Sequence, residues 1–275
     1  VKSPERITMT GSTNKTILII PHYNALNDLY RSVKSIGKDE NIDLLIIDDG
    51  SKLIPDEEYL RDIFSSNGVL SLVNLKQNVG ITAALNYGVK YAKDKGYKYI
   101  GRLDAGDIVL GPRFSLQEEF LDKNEDYAVV GSWVDFVDTK GHKLFTLKHP
   151  IEDKDIKKAI YRYNPFVHPA TMIRVESFGI KNLYPNCYPA LEDWALFLEL
   201  SKSWKMYNIP KILLEYEVSE NSISTQKRLL QSKSKVKLLM NNYRPNINQT
   251  IGLMKNIIIL FFPRAILTKV KEIIK

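Results

Sequence analysis

Tyr99-Ile-Gly-Arg-Leu-Asp104-Ala-Gly106-Asp107-Ile-Val109 is the stretch on which the fold turns. It starts as an apolar strand and ends by setting two carboxylates near the strand's C-terminal tip, with Gly106 between them. Paired acids are costly to hold without a partner. In an open α/β sheet the crevice outside the carboxyl ends of the strands is where ligands bind, so a cation or a sugar is the natural partner. The same residues would also suit a solvated turn, and the flanking sequence has to decide.

Upstream, Thr16-Ile-Leu-Ile-Ile20 reads as a buried strand ended by Pro21. Leu26, Leu29, Tyr30, Val33 and Ile36 follow at helical spacing, with Asn27 or Asp28 available as cap. Asp43-Leu-Leu-Ile-Ile47 is a second buried strand, halted at Asp48-Asp49-Gly50-Ser51. Strand, helix, strand implies parallel pairing. A weaker strand at Val69 to Asn74 leads through Gln77-Asn78-Val79-Gly80 to a helix. Ile81, Ala84, Leu85, Gly88 and Ala92 give that helix a face of small residues for close packing. Beyond the acids, Gly111-Pro112 opens a helix and Tyr127 to Gly131 forms another strand. Residues 16–131 thus have the pattern of a nucleotide-binding half of a doubly wound sheet.

The second half, 132–218, is less regular. A hairpin turn is expected at Asp135 to Lys143, a charged helix at Lys148 to Tyr163, and a loop entering a strand at Phe166 to Ile173. A loop follows at Tyr184 to Pro189, and then a helix opened by Leu191-Glu192-Asp193 and carrying Trp194, Phe197, Leu198 and Leu200. Acids in a first helical turn are favoured by the macrodipole, so Glu192 and Asp193 have a structural explanation as well as a functional one. Ile209 to Tyr216 is the last expected strand, Ser219 to Thr225 a polar loop, and 226–240 a basic helix. Residues 1–15 are a polar lead-in, and 219–275 a basic helical extension.

Hydrophobic residues at 44% and charged residues at 26% describe a globular protein rather than a disordered one. The net charge of +7 suits nucleotide phosphates, nucleic acid or a phospholipid surface. No nucleic-acid-binding motif accompanies it, so nucleic acid is set aside as a partner. Cys187 is the sole cysteine, which excludes an internal disulfide and a cysteine-built zinc site and fits a reducing compartment. A small buried or half-buried role is expected for it. The N-terminal residues do not form a secretion signal. His22, His142 and His149 lack metal-ligand spacing. Near the end, Ile257-Ile-Ile-Leu-Phe-Phe262 and Ala265 to Leu267 lie among Lys255, Arg264, Lys269, Lys271 and Lys275. The apolar run falls short of the ~20 residues that span a bilayer. Its mixture with basic residues suggests a helix lying on an anionic membrane surface, against the alternative of a helix docked on the core or on a second subunit.

Ile17-Leu-Ile-Ile-Pro21-His-Tyr23-Asn24, Ile46-Ile-Asp48-Asp49-Gly50-Ser51, Asn78-Val-Gly80-Ile-Thr-Ala-Ala-Leu-Asn86 and Arg102-Leu-Asp104-Ala-Gly-Asp107 follow one another as in family-2 glycosyltransferases. Phe166-Val-His168-Pro169 and Glu192-Asp193-Trp194 extend the match, which covers about residues 16–216. The resemblance implies a GT-A fold: a Rossmann-like, mostly parallel α/β sheet flanked by helices, here with a C-terminal helical extension. It also implies sugar transfer from a nucleotide donor with inversion, of the kind that builds bacterial surface polysaccharide. Such an enzyme would use a UDP or dTDP sugar and a saccharide, lipid-linked acceptor. With the basic, apolar tail considered, it would work in the cytoplasm, peripherally on the inner membrane face.

Carried over by residue, the resemblance puts Pro21 and Tyr23 in the base pocket with Asn24 beside them, and Asp49 on the base or ribose. Asp48 would support that loop, Asn78 and Gly80 would shape the donor pocket, and Arg102 would position or pair with Asp104. Asp104 and Asp107 would hold Mg²⁺ or Mn²⁺ near the donor diphosphate. Asp193 falls at the catalytic base, while His168, Glu192 and Trp194 would lie at or behind the acceptor. A single carboxylate suffices as base for an inverting displacement, and a metal would offset charge on the departing diphosphate. One departure stands out: the family usually reads Asp-Ala-Asp-Asp where this chain has Gly106. A protein of this fold that binds nucleotide without turnover is the rival reading. A sugar nucleotidyltransferase would carry a Gly-rich, basic loop after the first strand, and Pro21-His-Tyr-Asn24 is unlike one.

Overall fold

The computed structural model describes residues 14–179, 183–218 and 228–261. The expected lead-in, apart from residues 14 and 15, the Ser219 to Thr225 loop and the basic tail beyond 261 lie outside the described residues. In chain order the first half comprises β1 (Thr16–His22), α1 (Leu26–Lys34), β2 (Ile42–Asp48), α2 (Glu57–Ile63), β3 (Leu70–Asn74), α3 (Ile81–Lys95), β4 (Tyr99–Arg102), β5 (Ile108–Val109) and α4 (Arg113–Lys123). The second half comprises β6 (Tyr127–Val137), β7 (Lys143–Leu147), α5 (Asp153–Ala159), β8 (Met172–Arg174), α6 (Glu192–Leu200), β9 (Lys205–Glu217), α7 (Arg228–Asn241) and α8 (Ile247–Phe261).

One sheet runs through both halves in the order β3-β2-β1-β4-β8-β6-β9-β5, with β7 on β6. The first four strands are mutually parallel, β8 enters antiparallel between β4 and β6, and β6 and β9 are parallel. Strict alternation along the central strands sends side chains to two cores. Ile17, Ile19, Leu45 and Ile47 pack under α3, and Leu18, Ile20, Leu44 and Ile46 pack on the opposite face with Leu29, Val33 and Phe114. The small face of α3 is needed for that approach: a Cβ at Gly88 would lie 2.7 Å from Ile19 Cδ1.

Several boundaries depart from expectation. Strand β1 continues through Pro21 to His22. Its pairing with β4 ends at Ile19–Arg102, and Pro21, two residues on, faces the same side, so no paired strand carbonyl there misses the absent N–H. Neither Asn27 nor Asp28 caps α1; its N-cap is Ala25, whose N–H donates instead to His22 Nε2 at 3.0 Å. The charged helix expected over 148–163 shrinks to α5. Pro150 keeps the preceding residue extended, and a turn after Ala159 leaves the Ile160 carbonyl free to accept the Trp194 indole N–H at 2.7 Å. Cys187 is exposed rather than buried, on the loop between β8 and α6.

Candidate active site

The carboxyl ends of β1, β2 and β4 converge as expected, and a network of backbone amides and carboxylates fixes their loops. Asp48 is fully buried and accepts from His22 Nδ1 at 2.8 Å and from Ser51 N at 3.0 Å. Because His22 Nε2 accepts from Ala25, its ring proton sits on Nδ1 and is directed at Asp48. Asp48 is therefore committed to holding its own loop. Asp49 is 4% exposed, and its two oxygens accept the Val79 and Gly80 amides at 2.7 and 2.9 Å. It ties the end of β2 to the entrance of α3 with two charge-assisted bonds. Gly50 makes the contact possible: its φ is +73°, and a Cβ there would lie 2.5 Å from the Gln77 carbonyl carbon. Asn24 also links loops, receiving Lys52 N on its side chain at 2.9 Å while its own amide donates to Ser51 Oγ at 2.8 Å. Tyr23 is half exposed beside it, and Asn78 is exposed on the facing loop.

The two acids of the opening stretch have separate fates. Asp104 ion-pairs with the buried Arg102 and keeps 40% of its side chain exposed. Asp107 is 3% exposed, and its Oδ1 accepts Glu217 N on β9 at 3.1 Å. Burial, then the charge of Asp104, pushes its carboxyl well above the usual range. Ser32 on α1 shapes the loop between them: its hydroxyl accepts Gly106 N at 2.9 Å and donates to the Asp107 carbonyl at 2.8 Å. Gly106 has φ +109°, a conformation side-chain-bearing residues avoid. The local path of the chain therefore demands glycine where the family's usual sequence has an acid.

Among the described residues no three His, Cys, Asp or Glu side chains form a metal cage. Asp104 is the acid of this motif that remains open, and one carboxylate plus substrate phosphates is an ordinary Mg²⁺ environment. The residues present thus fit a divalent ion carried with a diphosphate, not one held by protein alone.

Across the sheet, Asp193 stands in the first turn of α6. Trp194 N donates to its Oδ1 at 2.7 Å and Asn164 Nδ2 to its Oδ2 at 2.8 Å. Burial, then the adjacent Glu192 and more weakly Asp104, pushes its pKa up to about 7. Glu192 is likewise raised by burial. Trp194 is 2% exposed with its indole N–H on Ile160, so it packs in the core and presents no stacking face to a ligand. His168 Nε2 meets Tyr184 Oη at 2.9 Å, and burial, reinforced by the positive charge of Arg102, holds the imidazole neutral. Asn86 on α3 grips Tyr184 through both backbone groups, each at 2.9 Å. Charge on Arg102, Asp104, Glu192 and Asp193 is felt at Tyr184, so these groups lie within electrostatic reach of one residue.

Asn164, Tyr184 and Ser32 escaped the motif reading. Asn164 had one local signal, its place before Pro165, which keeps it extended and its side chain outside any helix. Ser32 looked like an ordinary helical residue, and the contacts of Tyr184 span 16 to 98 positions in sequence.

The sequence profile described as "Glycosyl transferase family 2" matches residues 17–179. The chain is 28% identical over 252 residues to the UDP-Gal:alpha-D-GlcNAc-diphosphoundecaprenol beta-1,3-galactosyltransferase of Escherichia coli, covering 89% of this chain and 86% of that one. In fold it is similar to the crystal structure of S. aureus TarS 1-349 in complex with UDP, with TM-score 0.63 and 15% identity over 88% of this chain and 70% of that one. A mannosyltransferase of Pyrobaculum calidifontis in complex with GDP-Man and Mn²⁺ gives TM-score 0.60 at 13% identity, covering 89% and 69%.

Proposed function

The chain belongs to glycosyltransferase family 2, and we propose that it moves a sugar from a nucleoside diphosphate to a saccharide hydroxyl with inversion, Asp193 taking the proton. The observation that carries this is the Asp193 carboxylate, held in one orientation by Asn164 and Trp194 and raised to about 7 by burial and Glu192, with Asp104 near enough to add to the shift. A base with a pKa near the working pH combines a useful ionised fraction with real proton affinity. In the step, the acceptor oxygen forms its bond to the anomeric carbon as the bond from that carbon to the diphosphate breaks. The hydroxyl proton passes to Asp193, and the electron pair leaves with the nucleoside diphosphate.

On the donor side, Pro21 and Tyr23 would line the base pocket, with Asp49 holding Asn78 to Gly80 against it through the bonds described. Asp104 would hold a donor-borne Mg²⁺ or Mn²⁺, whose Lewis acidity offsets charge on the diphosphate. Asp107, turned to β9, would brace the loop. Arg102 keeps Asp104 placed through their contact, while His168 and Tyr184 form a neutral wall on the acceptor side. The similarity to the E. coli UDP-Gal:alpha-D-GlcNAc-diphosphoundecaprenol galactosyltransferase supports UDP as the donor nucleotide and a lipid-linked sugar as the acceptor. We read the same for this chain, at the inner face of a cell membrane and in surface-polysaccharide synthesis.

Calorimetric titration with UDP and dTDP, first with Mn²⁺ or Mg²⁺ and then with EDTA, tests the donor assignment. Metal-dependent binding of one nucleotide is expected. Failure to bind either would remove the donor assignment, and binding unchanged by EDTA would remove the role given to Asp104.

A further inference from the structure

Helix α8 is amphipathic in the reverse of the usual sense. Much of the side it turns to the protein is polar or bare: Gln249, Gly252 and Asn256 are buried there, beside Leu253, which packs on the core. A Cβ at Gly252 would lie 1.9 Å from the Tyr161 carbonyl oxygen, Asn256 Nδ2 reaches the Arg162 carbonyl, and the Arg162 guanidinium donates to Asn248. The side it turns outward is apolar: Ile247 is 78% exposed, Ile251 47%, Met254 58% and Ile258 47%. These four recur at helical spacing and form a single stripe. Met240 and Tyr243, where α7 turns into α8, are exposed as well.

A helix that spends its polar groups inward and shows isoleucine outward is suited to an apolar exterior. The charges around it select which one. From Asn221 through Lys271 the sequence contains Lys and Arg but neither Asp nor Glu. Lys233, Lys237, Arg244 and Lys255 are exposed on α7, the turn and α8. A second copy docked face to face would oppose cation to cation, whereas anionic headgroups would complement every one of them. We propose that the outward face of α8 seats the protein on an anionic lipid surface, its four apolar side chains entering the headgroup boundary. This deepens the membrane placement proposed above and is independent of the chemistry at Asp193. Tyr161 and Arg162, on which α8 rests, stand just before Asn164, the residue that holds Asp193. Membrane seating and the catalytic carboxylate are thus joined by one short segment, an arrangement suited to an acceptor that is itself anchored in lipid.

The test is co-sedimentation of the full chain with phosphatidylcholine vesicles, with and without phosphatidylglycerol, beside a variant combining Ile247→Ser, Ile251→Ser, Met254→Ser and Ile258→Ser. Binding that requires phosphatidylglycerol and falls by about tenfold or more in the variant is expected. Should the fourfold variant misfold, Met254→Trp reports the same contact, since its emission should shift to the blue and be quenched by brominated lipid. Undiminished vesicle binding by a folded variant would overturn the assignment to α8 while leaving membrane placement intact. A wild-type chain indifferent to lipid would overturn both. A lipid-free dimer that the fourfold substitution dissociates would show that a second copy covers the face, and would overturn the lipid assignment.

Discussion

Replacing Asp193 with asparagine should make the protein more stable, and increasingly so as the pH rises. Unfolded, this carboxyl ionises near its ordinary 3.8; folded, it does so at about 7. Between those values the native state retains a proton that the unfolded state has lost. Ionisation therefore favours unfolding, and stability declines as pH rises through that window. At about 1.4 kcal/mol per pH unit, the penalty is about 1.7 kcal/mol at about pH 5 and about 4 kcal/mol at about pH 8. The neutral amide introduced by Asp193→Asn would escape it; its single oxygen can accept the Asn164 or the Trp194 N–H but not both, a loss that does not vary with pH. Urea unfolding followed by tryptophan fluorescence, run on both proteins at the two pH values, should find the advantage of Asp193→Asn growing by about 2 to 3 kcal/mol. The same substitution should abolish transfer while sparing nucleotide affinity. A stability difference that stays constant with pH would refute the claim that burial and Glu192 hold this carboxyl in its neutral form, and with it the tuning of the base.

With the wild-type chain, kcat/KM should rise with pH through about 7 as Asp193 ionises. Asn164→Ala removes a charge-assisted bond of about 1.5 to 3 kcal/mol, so its acidic limb should move up by about one to two pH units, recovering much of the lost rate in alkali. A purely structural loss would lower the profile without displacing it. Restoring the family's usual acid by Gly106→Asp should cost about 1 to 3 kcal/mol in thermal unfolding, because φ is +109° there, rather than tighten Mn²⁺ binding. Asn86→Ala should lower stability by about 1 to 3 kcal/mol by orphaning both backbone groups of the buried Tyr184, as read by urea denaturation.

Local rules carry far in this chain. Apolar runs such as 17–20 and 44–47 read as buried strands, and the acids at their tips point to the carboxyl edge of the sheet before any tertiary contact is known. The support role of Asp48 came from the family resemblance rather than from local rules, and its bonds to His22 and Ser51 agree with it. Where those side chains point was decided by distant partners. Asp107 and Asp104 share a motif, yet a backbone amide on β9 claims one while Arg102 keeps the other at the surface. Trp194 adjoins Asp193 but belongs to the core, because the α5 turn offers its indole a carbonyl. Asn164 precedes Asp193 by 29 positions and no local pattern ties them. The tail read as apolar and basic by composition, but which face of α8 would remain outside depended on Gly252 meeting the Tyr161 backbone. Periodicity and turn chemistry are properties of neighbours in sequence, so the chain alone determined its strands, its crevice and the kinds of residue at the rim. Burial, charge coupling and the direction of each carboxylate arise between segments far apart in sequence, so only the tertiary structure decided which acid is raised, which is spent on the fold and which is left open.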